Sequence, residues 1–170
     1  TDEYAAIPAD CRAVAAVCGG EVLREVPFET FLSKLPECRR QCGDRAVLRA
    51  FHVYADNDRV AKQVEALRAG DFDAFLQLVN ASGLSSWEYL QNVIPAGYKE
   101  HQEVAVTIAA AKHYLGGKGA VRVHGGGFAG TVQAFVPVEM LADFKTNMEK
   151  ILGAGRCHVL SIRPEGGAVL

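Results

Sequence analysis

Residues 120–136 read as two short strands joined by a glycine-rich loop. The first run is Ala120-Val-Arg-Val-His124, in which apolar and polar residues alternate. The last run is Thr131-Val-Gln-Ala-Phe-Val136, which is rich in residues that favour strands. Between them lies Gly125-Gly-Gly-Phe-Ala-Gly130. The segment therefore predicts a strand, a glycine loop and a second strand.

The loop does not fit the common nucleotide-binding motifs. Its spacing Gly125-x-Gly127-x-x-Gly130 matches the dinucleotide fingerprint, but that fingerprint needs a helix after the loop, and here a strand-like run follows. The Gly-Lys-Ser/Thr ending of a P-loop is absent. The spacing also fits the glycine loop of protein kinases, yet the chain has no His-Arg-Asp or Asp-Phe-Gly motif.

Two interpretations of the loop remain open on chemical grounds. Four glycines among six residues leave nearly bare backbone, which can adopt positive φ and direct its amides at an anion. Alternatively, the glycines serve a tight hairpin alone, although a hairpin needs only one or two of them. In either case we expect Phe128 to pack under the loop and hold its shape.

Most of the chain before this segment shows helical patterns. The strongest covers Asp44–Ala69, where apolar residues recur on one stripe at a period of 3.6, with charged residues such as Arg49 on the other side and Gly70 at the end. Asp71 is the expected N-cap of the next helix. The remaining predictions are helices over Ile7–Val17 with Pro8 in its first turn, residues 28–35 closed by Pro36, Phe72–Val79, Lys99–Leu115 and Val138–Leu152, strands over Glu21–Val26 and Arg156–Ile162, and a loop over Ala81–Trp87.

The order of these elements indicates the fold class. Helices come first, followed by strand, glycine loop, strand, helix and strand, which is not a regular β–α alternation. This order predicts an α+β fold with a small, mostly antiparallel sheet covered by helices on one side. At 170 residues, with no repeat or linker, we expect a single domain over residues 1–170.

Composition excludes several classes of protein. The chain has 18 Lys plus Arg and 20 Asp plus Glu, so no basic excess favours nucleic acid, and no apolar run of roughly 18 residues could span a membrane. Its five cysteines are odd in number and lack a Cys-x-x-Cys motif. Cys38 and Cys42 lie one helical turn apart without further ligands at a familiar spacing. We therefore expect reduced thiols, a cytoplasmic location and no metal site.

The motifs together resemble the galactokinases, of the superfamily that also contains homoserine, mevalonate and phosphomevalonate kinases. The run His124-Gly-Gly-Gly-Phe-Ala-Gly-Thr-Val132 resembles their C-terminal glycine motif, although His124, Ala129 and Thr131 depart from it. The run Arg49-Ala-Phe-His-Val-Tyr-Ala-Asp-Asn-Asp-Arg-Val60 is similar to their long helix. Further similar stretches are Ala66-Leu-Arg-Ala-Gly-Asp71, Asn80-Ala-Ser82, and Tyr4 placed seven residues before Cys11.

The resemblance implies a ferredoxin-like C-terminal lobe with additional helices, preceded in a longer protein by an N-terminal lobe that holds the catalytic aspartate. The whole enzyme would transfer the γ-phosphoryl group of ATP to the C1 hydroxyl of galactose or a related sugar, with Mg²⁺ bound mainly by the N-terminal lobe. No catalytic residue is expected in this chain, which alone would be inactive. Tyr4 would contact the sugar, and the triphosphate site would be shaped by Gly125, Gly126, Gly127, Phe128, Ala129 and Gly130.

The implied partners are the N-terminal lobe, the sugar and ATP. Two alternatives stay open at this point. One is a non-catalytic relative that senses sugar and nucleotide or binds another protein. The other is a structural domain whose glycine turn has no contact with phosphate.

Overall fold

The computed structural model describes residues 2–128 and 130–162. Within them the helices are α1 (Asp2–Cys18), α2 (Phe28–Ser33), α3 (Leu35–Cys42), α4 (Asp44–Ala69), α5 (Phe72–Ser85), α6 (Glu103–Leu115) and α7 (Leu141–Leu152). Strands β1 (Ala120–His124) and β2 (Thr131–Phe135) complete the regular structure, together with short 3₁₀ turns at Leu23–Glu25 and Val138–Met140 and a π-helical turn at Ser86–Leu90. The predicted α+β class is confirmed.

The two strands form an antiparallel ribbon whose register places the glycine loop. Ala120 pairs with Phe135 at one end, and His124 pairs with Thr131 at the other, so residues 125–130 connect the strands. Helices α5 and α6 pack on β1. A Cβ atom on Gly83 of α5 would lie 2.8 Å from Cβ of Arg122, so this glycine lets α5 approach the strand closely.

The first apolar core is built from the N-terminal part of the chain. Helices α1 and α3 pack against the first half of α4, and Val14, Phe31 and Ala50 are fully buried between them. Phe31 stacks on Tyr54 and meets Phe51 edge-on, with ring centroids 5.4 and 4.9 Å apart. These aromatic contacts fix the short helix α2 over the centre of α4.

A second apolar core lies under the ribbon. Helices α6 and α7 pack together, and their buried faces meet Val121 and Val123 of β1. Met148 is the buried residue of α7, and the half-buried Trp87 packs against the same core. The ribbon is therefore held between α5 and this second core, so helices cover both of its faces, and the prediction that they cover one side is wrong.

A seam of polar side chains joins α4, α5 and β1. Ser82 donates a hydrogen bond of 2.7 Å to Asp56, and His52 lies 2.9 Å from the hydroxyl of Ser85. Arg122 of β1 donates to Ser82 at 2.5 Å and to Ser86 at 3.4 Å. Each of the buried serines Ser82, Ser85 and Ser86 has a hydrogen-bonding partner in this seam. Their burial therefore leaves no hydroxyl group unpaired.

Several predicted boundaries are confirmed. Helix α4 spans the predicted Asp44–Ala69 and ends at Gly70, whose φ of 72° is left-handed. Asp71 caps α5 by accepting a hydrogen bond of 2.9 Å from the amide of Ala74. However, α1 begins at Asp2, so Pro8 lies inside it, and Pro36 lies in the first turn of α3, where we expected it to end a segment.

Three local predictions are wrong. Glu21–Val26 is not a strand, since a 3₁₀ turn forms there and buries Leu23 and Val26 in the first core. Ala81–Trp87 is not a loop but the continuation of α5 into the π-helical turn, because the serines find partners across the seam. Arg156–Ile162 forms no strand either, and the apolar side chains of Leu160 and Ile162 are exposed.

Candidate functional site

The glycine loop has a backbone that ordinary residues rarely adopt. Gly125 and Gly127 have φ values of 69° and 85°, and Phe128, which is not a glycine, has a φ of 60°. A left-handed conformation costs a residue with a side chain about 1 kcal/mol or more. Phe128 keeps it because its amide donates a hydrogen bond of 2.6 Å to the carbonyl of Asn92. Phe128 itself is half-buried, and Ala129 lies outside the described residues.

Asn92 contacts the loop at three points and was missed by the sequence reasoning. It is 1% exposed, its carbonyl accepts from Phe128, and its side-chain Nδ2 donates to the carbonyl of Gly126 at 3.4 Å. A Cβ on Gly127 would overlap the Asn92 carbonyl. No motif marks this residue, and the one local signal is the polar pair Gln91-Asn92 between the apolar Leu90 and Val93.

Tyr4 lies against the same loop. It stands in the first turn of α1, is 59% exposed, and its ring is so close to Gly126 that a Cβ there would overlap it. The structure thus brings together two features that the sequence identified separately, Tyr4 and Gly126 being 122 residues apart. The backbone carbonyl of Asn92 requires glycine at position 127, whereas a side chain at position 126 would displace the ring of Tyr4.

Arg49 fixes the start of α1 beside the loop. Its side chain is fully buried and donates at 2.6 Å to Asp10 of α1 and at 3.1 Å to the carbonyl of Leu90. Its Nη2 atom lies 3.7 Å from the carboxylate of Glu3. The pattern placed Arg49 away from the apolar stripe of α4 and gave no sign of its burial, which its partners of opposite charge make tolerable.

The loop offers backbone amides and little else. Among the hydrogen bonds of the described residues, none has the amide of Gly125, Gly126 or Gly127 as its donor. Gly130 donates to Gly127 at 3.1 Å and closes the turn, and His124 beside the loop is exposed. Bare amides next to left-handed residues are the groups with which a chain binds phosphate without side-chain charge.

Two clefts of about 260 and 290 Å³ are lined by neither Tyr4, Asn92 nor the loop. Within residues 2–128 and 130–162, no three His, Cys, Asp or Glu side chains lie close enough to hold a metal ion. Over the same residues, every helix is too short or too polar to span a bilayer.

The cysteines are free thiols. Cys18 and Cys38 are buried with their sulfur atoms 3.7 Å apart, and Cys11, Cys42 and Cys157 are half-buried. The pKa of Cys38 is raised to about 12, mainly by burial and to a smaller extent by the hydrogen bond with Cys18. Burial also raises the pKa of Cys11, Cys42 and Cys157, which makes these thiols poor nucleophiles at neutral pH.

No protein-family model matches this chain, but curated proteins do. It is 31% identical over 157 residues to a galactokinase of Actinobacillus pleuropneumoniae, which covers 90% of this chain and 39% of that protein. It is also 31% identical to a galactokinase of Mannheimia succiniciproducens, over 85% of this chain and 36% of that protein. A galactokinase of Glaesserella parasuis is 32% identical over 82% of this chain and 34% of its own length.

The chain thus spans between a third and two fifths of the length of the curated relatives it matches. The similarity extends over nearly the whole chain, well beyond the glycine loop and the long helix. The resemblance inferred from the motifs is confirmed: the chain is a relative of the galactokinases, and its partial coverage of them is consistent with a C-terminal galactokinase domain.

Proposed function

We propose that this chain is the C-terminal domain of a galactokinase-like enzyme, which transfers the γ-phosphoryl group of ATP to the C1 hydroxyl of galactose or a related sugar. The domain would comprise residues 1–170 as one ferredoxin-like lobe with additional helices. Its partner would be an N-terminal lobe of the same protein, in the cytoplasm. The catalytic residues would lie in that lobe, so the isolated domain would be inactive.

One observation supports this proposal above the others, namely the contact between Tyr4 and Gly126. The resemblance to galactokinases assigns the tyrosine to the sugar and the loop to the triphosphate. A phosphoryl group can be transferred only if the two substrates meet, so residues serving them must lie close together. The side-by-side placement of Tyr4 and Gly126 meets that requirement.

The loop would shape the triphosphate site with its backbone and without proton transfer. The amides of Gly125, Gly126 and Gly127 are the groups suited to phosphate oxygens. Bound Mg²⁺ would neutralise charge on the phosphates, held mainly by the N-terminal lobe. The contribution of this chain is then to hold its amides in a fixed arrangement, which avoids reorganisation during the reaction.

The test is ADP release by the full-length protein that contains this chain, with Mg-ATP in the presence and absence of galactose. Tyr4→Phe keeps the ring against Gly126 and removes only the hydroxyl. We expect it to raise the KM for galactose roughly three- to tenfold, the loss of about one hydrogen bond, with an unchanged KM for ATP. Tyr98→Phe changes another exposed tyrosine and serves as the matched control.

The outcomes separate the alternatives. ADP release that depends on galactose supports the proposal. Release that depends on another sugar also supports a sugar kinase, but with that sugar as its substrate. Binding of Mg-ATP or galactose without ADP release would favour the non-catalytic sensing relative. If neither ligand bound and neither changed any rate, the loop would be a structural turn alone.

A further inference from the structure

We propose that Asn92 is a positioning residue that sets the conformation of the glycine loop and, through it, the affinity of the site for the triphosphate. The link to the triphosphate rests on the proposed function, whereas the link to the loop rests on the geometry alone.

Asn92 is suited to this role because its contacts cover three consecutive loop residues. Its side chain donates to the carbonyl of Gly126, its Cβ and Cγ lie where a Cβ of Gly127 would come within 2.8 Å, and its carbonyl accepts from Phe128. Phe128 is the left-handed residue without glycine's freedom, so its conformation depends on that bond. The bond to Phe128 uses the backbone carbonyl, so a change of the Asn92 side chain reaches the loop through its bond to Gly126 and its packing against Gly127.

The segment that carries Asn92 is itself held in place. Gln91 adopts a left-handed φ of 56° after the π-helical turn, and its amide donates at 2.8 Å to the carbonyl of the fully buried Ser86. Arg49 donates to the carbonyl of Leu90 on one side, and Val93 is buried in the second core on the other. Because the segment is fixed at both ends, Asn92 can hold the loop instead of following it.

The side chain does more than fill space. Its Oδ1 atom is buried and receives no hydrogen bond within the described residues, which costs free energy of folding. An apolar residue of similar size would avoid that cost. An asparagine at this point is consistent with a need for the Nδ2 donor toward Gly126. The carboxylate of Asn92→Asp would face the Gly126 carbonyl without a donor and would repel it.

The experiment compares Asn92→Asp and Asn92→Ala with Asn80→Asp in the full-length protein. Asn80 is a matched control: its amide also pairs with backbone, at the carbonyl of Gly119 and the amide of Val121, but at the opposite end of β1. Hydrogen exchange of the peptide covering residues 120–136 reports on the loop without any substrate. Steady-state kinetics then give the KM for Mg-ATP, the KM for galactose and kcat.

We expect both Asn92 variants to speed exchange in the loop peptide and to raise the KM for Mg-ATP about fivefold or more, with a smaller effect on the KM for galactose. Asn80→Asp should destabilise the protein without changing the KM for Mg-ATP. Unchanged exchange in a folded Asn92→Ala variant would overturn the positioning role. Faster exchange with an unchanged KM for Mg-ATP would overturn the link to the triphosphate.

The two proposals fail in different ways. If the wild-type protein releases no ADP with any sugar, the proposed function fails, yet loop exchange still decides whether Asn92 positions the loop. If Asn92→Asp does not fold, Asn92→Ala, which adds no charge, decides the same question.

Discussion

Arg49 is fully buried, although arginine is mostly a surface residue. Its guanidinium joins Asp10, Glu3 and the carbonyl of Leu90, and so connects the start of α1 to α4 and to the segment before Asn92. A sequence pattern alone could not show this, because Arg49 has charged neighbours on α4 and its partners lie some 40 residues away in either direction. Periodicity predicts which face a residue is on, but not whether another helix covers that face.

We expect Arg49→Met to lower the free energy of unfolding by about 3 kcal/mol, since it leaves Asp10 and the Leu90 carbonyl without their donor. Arg45→Met is the matched control, because Arg45 pairs with the same carboxylates at 3.1 and 3.8 Å but is 43% exposed. Its loss should cost about 1 kcal/mol or less. Urea unfolding monitored by circular dichroism measures both, and equal losses would contradict this account of Arg49.

Among the elements, α5 shows where local sequence rules stop working. Its beginning was predictable, since Asp71 is a strong N-cap and in the structure accepts from Ala74. Its end was not, because Ser82, Gly83 and the following serines favour a loop by their intrinsic propensity. Tertiary partners reverse that preference: the serines bind Asp56, His52 and Arg122, and Gly83 fits against β1.

Gly83→Val tests the close approach of α5 to β1. A Cβ at this position would lie 2.8 Å from Cβ of Arg122 and 3.1 Å from the carbonyl of Val121, so the helix would be pushed off the strand. We expect a loss of about 1–3 kcal/mol in the free energy of unfolding, as overpacking usually costs. Ala81→Val places the same side chain at an exposed position of the same helix. Urea unfolding measures both variants. If Gly83→Val lowered the midpoint of unfolding no more than Ala81→Val does, the close contact of α5 with β1 would be refuted.

For the whole molecule, the sequence predicted the class and the ribbon, and it marked Tyr4 and the glycine loop as candidates, but it showed neither Asn92 nor how these parts meet. The loop was visible because glycines are distinctive, and Tyr4 because of its spacing to Cys11. Asn92 was invisible because its role comes from position in space: it is buried, belongs to no motif and touches the loop 34 residues later. Long-range contacts of single residues leave no periodic trace in the chain.

The buried titratable groups predict how stability depends on pH. Burial lowers the pKa of His52 below its ordinary 6.5, an effect that Arg59 and Arg122 reinforce and Asp56 opposes. The neutral form is thus favoured on folding, so the free energy of unfolding should fall as the pH drops below 6.5. At the other end, burial raises the pKa of both Cys38 and Tyr54 to about 12, so stability should fall as the pH rises from about 9 toward 12.

Urea unfolding between pH 5 and pH 11 would check both limbs of this profile. In His52→Gln the free energy of unfolding should fall less as the pH drops below 6.5. In Tyr54→Phe it should fall less as the pH rises above about 9. His101→Gln is the control for the first, since His101 is exposed and lies outside the polar seam. If the free energy of unfolding fell as steeply at low pH in His52→Gln as in the wild-type protein, groups other than His52 would be the cause.

The division into two apolar cores also bears on the order in which the chain matures during translation. Every residue of the first core and its packing shell comes from residues 11–54, whereas the second requires residues 87–157. A ribosome therefore synthesises every residue of the first core before it reaches the second. The contact of Tyr4 with Gly126 joins two residues that lie 122 positions apart in the chain, so the site is assembled only after both have left the ribosome.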